Sequence, residues 1–234
     1  GCLQLLLDAK ANVNAANKYG DTALIMAASE SHIACLQLLL DAKANINAAR
    51  KGGETALIGA AMNGHTGCLQ MLLDAKASID AVDKTGCPAS IMVAMKGHTE
   101  CLQLLLDAKA DIRIADKVGN TLPMVAAYYG QPECLKVLLD AKAGIEIRDK
   151  EGFTALTMAA GEGHPGCLQL LLDMKADIEA PGRFGNTASM MASLYGHTEC
   201  LQLLIDAKAN VNAGNIAGTT SVIVAAGQGH PECL

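Results

Sequence analysis

The sequence predicts an all-α repeat, a solenoid of helix-turn-helix units joined by hairpin loops. Three observations carry this prediction. First, the phrase GHTECLQLLLDAKA, Gly97 to Ala110, recurs in close copies from Ser31, Gly64, Gly130, Gly163 and Gly196. Second, the copies keep one period of 33 residues with no insertion or deletion, a length that belongs to stacked repeats rather than to a single globular core. Third, every period holds two short apolar runs punctuated by turn residues. Each run is marginal as an isolated helix, so neighbours must stack to bury a continuous core.

Within one period the elements follow in order. Gly20 closes a polar loop, and Thr22 is a good N-cap for a short helix over ALIMAAS, Ala23 to Ser29. Ser31, replaced by Gly in later copies, ends that helix, and Gly takes a left-handed turn there at no steric cost. The second helix begins near His32 and runs through Asp41. Pro132, Pro165 and Pro231 fall where this helix starts, a place where the missing donor costs nothing. A dozen polar residues then lead to the next Thr. Residues 17–49, 50–82, 83–115, 116–148, 149–181 and 182–214 form six complete repeats. Residues 1–16 and 215–234 are partial ones, so 1–234 reads as a single array. The start at Gly1, inside a repeat and without an initiator methionine, reads as a segment of something longer.

Composition narrows the function. The net charge of −6 provides no basic field for a phosphate backbone, so nucleic acid is not an expected partner. No window holds eighteen or more uninterrupted apolar residues, so no membrane partner is expected. Eight of the nine cysteines share one repeat phase: Cys2, Cys35, Cys68, Cys101, Cys134, Cys167, Cys200 and Cys233. Stacked helices stand about 8–10 Å apart, beyond the roughly 7 Å that a disulfide tolerates between Cα atoms. The expectation is a ladder of buried, reduced thiols in a reducing, cytoplasmic compartment. Cys87, out of phase at a hairpin position, is the expected exposed thiol.

The pattern G-x-TAL, two residues, AA, two residues, GH, then the LLL helix resembles the ankyrin repeat, and it covers the whole chain. The resemblance implies an ankyrin-type solenoid without catalytic activity of its own, working as a binding surface for other proteins. This chain departs from the family pattern in three ways. Ala23, Ala56, Ala155 and Ala188 stand where the family has Pro. Ile25, Ile58, Met124, Thr157 and Met190 stand where it has a His that hydrogen-bonds between repeats, which predicts apolar contact there. Lys43 and its equivalents replace the Gly that ends the second helix, so they either carry a left-handed backbone or end the helix differently.

Six His residues each stand three positions before a ladder cysteine, a spacing like that of zinc ligands. Both recur with the repeat, and no four-ligand cluster forms across repeats about 10 Å apart. They are read as helix-junction residues, with no metal and no cofactor. The Asp of LLLD and the Lys two residues later read as a solvated face rather than a catalytic pair.

The informative residues are those that do not repeat. The resemblance places partner contacts at the hairpin tip and the end of the first helix, lining a concave groove. Five such positions in each of seven repeats make 35 of 234 residues, yet they contain all six aromatics of the chain. Large rigid side chains of this kind serve as interface anchors. The candidate partner-binding residues are Tyr19, Met62, Met95, Tyr128, Tyr129, Phe153, Phe184, Leu194 and Tyr195, centred on the cluster from Tyr128 to Tyr195. The expected function is capture of another protein in this groove. The alternatives are a spacer or targeting segment of a longer, enzymatic chain, or an engineered consensus-like scaffold. Unpartnered helices at both ends also predict head-to-tail self-association.

Overall fold

The computed structural model describes residues 1–233 and forms two compact units, Gly1–Asp111 and Ile112–Leu234. The helices are α1 Cys2–Asp8, α2 Ala23–Ser29, α3 Ile33–Asp41, α4 Ala56–Met62, α5 Thr66–Asp74, α6 Ala89–Lys96 and α7 Thr99–Asp107 in the first unit. The second holds α8 Leu122–Tyr128, α9 Pro132–Asp140, α10 Ala155–Glu162, α11 Pro165–Asp173, α12 Ala188–Tyr195, α13 Thr198–Asp206 and α14 Ser221–Gln228. Short 3₁₀ turns lie at Arg183–Gly185 and Pro231–Cys233. Among the described residues extended backbone pairs only as isolated bridges, such as Ala49 with Thr55 and Val82 with Pro88.

The first helices start as expected. Thr22 and Thr55 accept the amides of Ile25 and Ile58 at 3.3 Å, satisfying one orphan donor in each helix. At α10 the cap is reciprocal. Thr154 N–H donates to Thr157 Oγ1 at 2.8 Å while Thr157 N–H donates to Thr154 Oγ1 at 3.3 Å. Ile25, Ile58, Met124 and Met190 are buried, so the polar link expected of the family at that position is replaced by apolar packing. Thr157 differs because its hydroxyl serves the cap.

The second helices all stop the same way. In α5, Ala77 N–H donates to Leu72 O at 2.9 Å and Lys76 N–H to Leu73 O at 3.0 Å, the paired bonds of a Schellman motif. Lys10, Lys43, Lys76, Lys109, Lys142, Lys175 and Lys208 take the left-handed position, with φ from 61° to 69°. The lysines therefore carry the strain, because the two closing bonds are kept in every copy. Burial explains why the fold holds regardless. From α5 to α13 each second helix turns its cysteine and at least two leucines inward, as Cys101, Leu102 and Leu105 in α7, and each leucine contributes about 2 kcal/mol.

Neighbouring repeats are tied by three recurring polar links within each unit. Asn45 N–H donates to Asn14 Oδ1 at 2.7 Å, and Asp177 N–H to Glu146 Oε1 at 2.7 Å. At the hairpin tips Lys84 N–H donates to Gly52 O at 2.8 Å and Ile216 N–H to Phe184 O at 3.0 Å. The third link is the junction histidine, described below.

All nine cysteines are unbridged. Cys68, Cys101, Cys134, Cys167 and Cys200 are buried as the ladder predicts, but Cys2 is exposed and Cys35 half-buried. Cys87 corrects its expectation. It is half-buried, on the arm of the hairpin next to the Val82–Pro88 bridge with its N–H held by Asp83, and the exposed thiol is Cys2. No helix among the described residues is long and apolar enough to cross a membrane.

Candidate functional site

The site is built where the first helices end. Helix α8 stops at Tyr128 with Tyr129 as its cap, α10 stops at Glu162, and α12 stops at Tyr195. Gly130, Gly163 and Gly196, at one repeat phase, follow with φ of 64°, 72° and 74°, a left-handed turn in each, although α8 ends one residue earlier than α10 and α12. At Gly163 and Gly196 this turn leads into the junction histidines, which fix the helix ends relative to one another. His164 Nε2 lies 3.0 Å from Tyr128 O, and His197 Nε2 lies 3.0 Å from Gly161 O. A carbonyl can only accept, so Nε2 carries the proton and donates. In the first unit His65 and His98 do the same to Ser29 O and Met62 O. The His-x-x-Cys spacing thus serves repeat stacking. Among the described residues no group of three or more His, Cys, Asp or Glu is placed to hold a metal ion. The LLLD carboxylates are held by glutamine rather than lysine: Gln70 Nε2 donates to Asp74 at 2.8 Å and Gln169 to Asp173 at 2.8 Å.

The candidate residues of the second unit fall into two groups. At the helix ends Tyr128, Tyr129 and Tyr195 are 43%, 44% and 54% exposed. The Tyr128 and Tyr129 rings meet edge to face, centroids 5.0 Å apart. Tyr195 leans back over the neighbouring repeat, its Cε2 lying 3.9 Å from where a side chain on Gly161 would begin. Leu194 beside it is half-buried. The Tyr128 phenol is pushed above its ordinary range, chiefly by the negative charge of Glu162, with burial, Tyr129 and Tyr195 adding to it.

The second group sits at the hairpin tips. Most tips are shaped by an Asn or Asp whose side chain accepts two backbone amides, as Asp149 does from Glu151 and Phe153. Gly182 has no such side chain, and its turn instead places Phe184 in a left-handed conformation, φ 59° and ψ 16°. For a bulky residue this is a strained backbone. Phe184 is 62% exposed, with the Arg183 guanidinium 4.7 Å from its ring centroid and Arg183 paired to Glu151 at 3.2 Å. Phe153 is half-buried because its ring covers Gly182, whose missing side chain leaves room for it.

In the first unit Tyr19 is exposed at its tip beneath Lys18, whose Nζ is 4.9 Å from the ring centroid. Met62 and Met95 are half-buried near the ends of α4 and α6. At the next tip Arg50 replaces the usual Asn or Asp, and its guanidinium bridges Asp21 at 2.6 Å and Glu54 at 3.0 Å. Two neighbours of the site were missed as candidates, Glu162 and Arg183. The signal was available for Glu162, which lies 33 residues from both Tyr129 and Tyr195. Arg183 was marked only as one of the variable hairpin-tip positions, and its approach to the Phe184 ring depends on the unusual turn.

Stacked helix pairs with an invariant frame and variable, aromatic-rich ends define a helical repeat scaffold. A family model of three ankyrin repeats matches residues 1–84, 90–182 and 175–234, so the chain belongs to the ankyrin-repeat family. Among solved structures it is similar to the human ASB11 ankyrin repeat domain, with a TM-score of 0.82 and 24% identity over 88% of this chain and 92% of that one. It is also similar to the ankyrin repeat domain of Bcl-3, described as a unique member of the IkappaB protein family. There the TM-score is 0.76 and the identity 25%, over 88% of this chain and 95% of that one. No curated protein sequence matches the chain significantly. Ankyrin repeats are generally protein–protein interaction modules.

Proposed function

We propose that this chain binds a partner protein through the ends of its first helices and its hairpin tips, and acts by binding rather than by catalysis. The supporting observation is where its aromatics lie. No aromatic is among the buried hydrophobic residues, whereas Tyr19, Tyr128, Tyr129, Phe184 and Tyr195 are exposed. A core of Leu, Ala, Ile and Met alongside an aromatic surface fits an interface, because rigid rings gain contact area at small entropic cost. Phe153 and Leu194 support this surface from half-buried positions, and Met62 and Met95 form an adaptable counterpart in the first unit.

The test changes Tyr128, Tyr129, Phe184 and Tyr195 together to Ser, with circular dichroism to confirm the fold. Loss of partner recovery from the native cell extract is expected from an affinity roughly 800-fold lower, since two anchors at about 2 kcal/mol each already supply that factor. Unchanged recovery by the folded variant refutes the reading.

A further inference from the structure

We propose that Tyr129, Glu162 and Tyr195, with Tyr128 beside them, form a seat for an arginine side chain presented by a partner protein. This rests on reading the helix ends as the partner surface, and it names the chemistry that one part of that surface selects. The three residues lie 33 positions apart, so they occupy one and the same place in three consecutive repeats. Their helices α8, α10 and α12 are stacked neighbours, which sets them about 8–10 Å apart. A carboxylate in the middle repeat is therefore flanked on both sides by an exposed phenol ring. Tyr195 leans toward the middle repeat over Gly161, and Tyr128 buttresses Tyr129 edge to face.

The charge at this place is unmet within the chain. Glu162 is exposed, and among the described residues no lysine, arginine or histidine forms an ion pair with it. The chain also shows what its other exposed aromatics do with cations. Lys18 covers Tyr19 and Arg183 covers Phe184, each within 5 Å of the ring centroid. Those two rings are already served by the cation next to them in sequence, whereas among the described residues no lysine or arginine lies over the tyrosines around Glu162. A cation supplied from outside completes the same arrangement here, with a carboxylate added.

Arginine fits this seat better than lysine. Its planar guanidinium stacks on a ring face while its edge donates two parallel hydrogen bonds to one carboxylate, and an ammonium does only one of these well. A single exposed ion pair or a single ring contact is weak, so selectivity comes from meeting both at once.

The experiment titrates the folded chain with N-acetyl-arginine amide and with N-acetyl-citrulline amide, its neutral near-isostere. Tyrosine ring signals are followed by nuclear magnetic resonance. The chain has four tyrosines and no tryptophan, so every ring is resolvable. The arginine probe is expected to shift Tyr128, Tyr129 and Tyr195 saturably while citrulline does not, and Tyr19, already beneath Lys18, stays unmoved. Glu162→Gln, at an exposed helix end, should weaken the arginine titration about tenfold. Equal shifts with citrulline, or an unchanged titration in Glu162→Gln, overturn the inference. If the arginine probe fails while the four-residue Ser variant still loses its partner, this inference falls and the surface reading stands.

Discussion

The left-handed lysines give the most direct test of how this frame is held. Lys43, Lys76 and Lys109 sit at φ of 62°, 65° and 69° in successive Schellman motifs of the first unit. A side chain in that region costs about 1–2 kcal/mol, which Gly does not incur. Gly loses more freedom on folding, about 0.5–1 kcal/mol, so each Lys→Gly exchange should gain roughly 0.5–1 kcal/mol net. The three sites are a whole repeat apart and share no partners, so their effects add. The triple variant should gain roughly 2 kcal/mol, or about 4–8 °C in Tm for a chain of this length. Urea unfolding by circular dichroism measures it as a raised midpoint at constant slope. High salt should be present to screen the helix-dipole contribution that the lost lysine charge supplied. Lys→Ala at the same three positions keeps the Cβ and should bring no such gain. A glycine variant no more stable than the alanine variant refutes the argument that strain resides at these positions.

Four further outcomes follow from the same geometry. Gly130→Ala should destabilise by about 2–4 kcal/mol in urea, because φ is 64° and a Cβ would stand 2.5 Å from His164 Nδ1. Gly227→Ala, in a helix with nothing within 4 Å, should be neutral or mildly stabilising. Burial, with Glu133 the next cause, pushes the Cys167 thiol up to about 12, and burial followed by Glu199 pushes Cys200 up to about 11. The unfolded thiols ionise near 9 while the folded ones stay protonated, so the unfolded state binds fewer protons. Stability from these thiols is complete below pH 9 and is lost as pH rises toward 11 and 12. Cys167→Ala should therefore show a shallower decline between pH 9 and 11 than the parent chain, and an identical slope contradicts the burial argument. Phe184→Gly should leave stability unchanged or raise it by about 1 kcal/mol by relieving φ of 59°, while weakening partner recovery. Stability loss together with intact recovery would reverse that assignment.

Much of the frame was legible because it is encoded locally and written seven times. Thr caps, glycine turns, prolines at helix starts and the 33-residue period each act within a few residues, and repetition separates them from accident. The apolar inside face was legible too, since Leu102 and Leu105 recur at one phase and bury alike in every full copy. The aromatic positions could be picked out as departures from that sameness. What the linear order left open was which of them meet. Lys at a helix end permits two backbones, and only the Schellman bonds, made to carbonyls across the last turn, select the left-handed one. Cys87 is half-buried beside the Val82–Pro88 bridge, its backbone tied to Asp83 across the hairpin, which its own residue type does not reveal. Phe184 takes its left-handed backbone, and Phe153 its half-buried place over Gly182, because Gly182 reshapes one hairpin tip. Glu162 becomes meaningful only once three repeats are stacked and bring residues 33 apart into one row. Local chemistry therefore determined the elements and their period, whereas neighbourhood across repeats, which depends on stacking, decided which side chains act together.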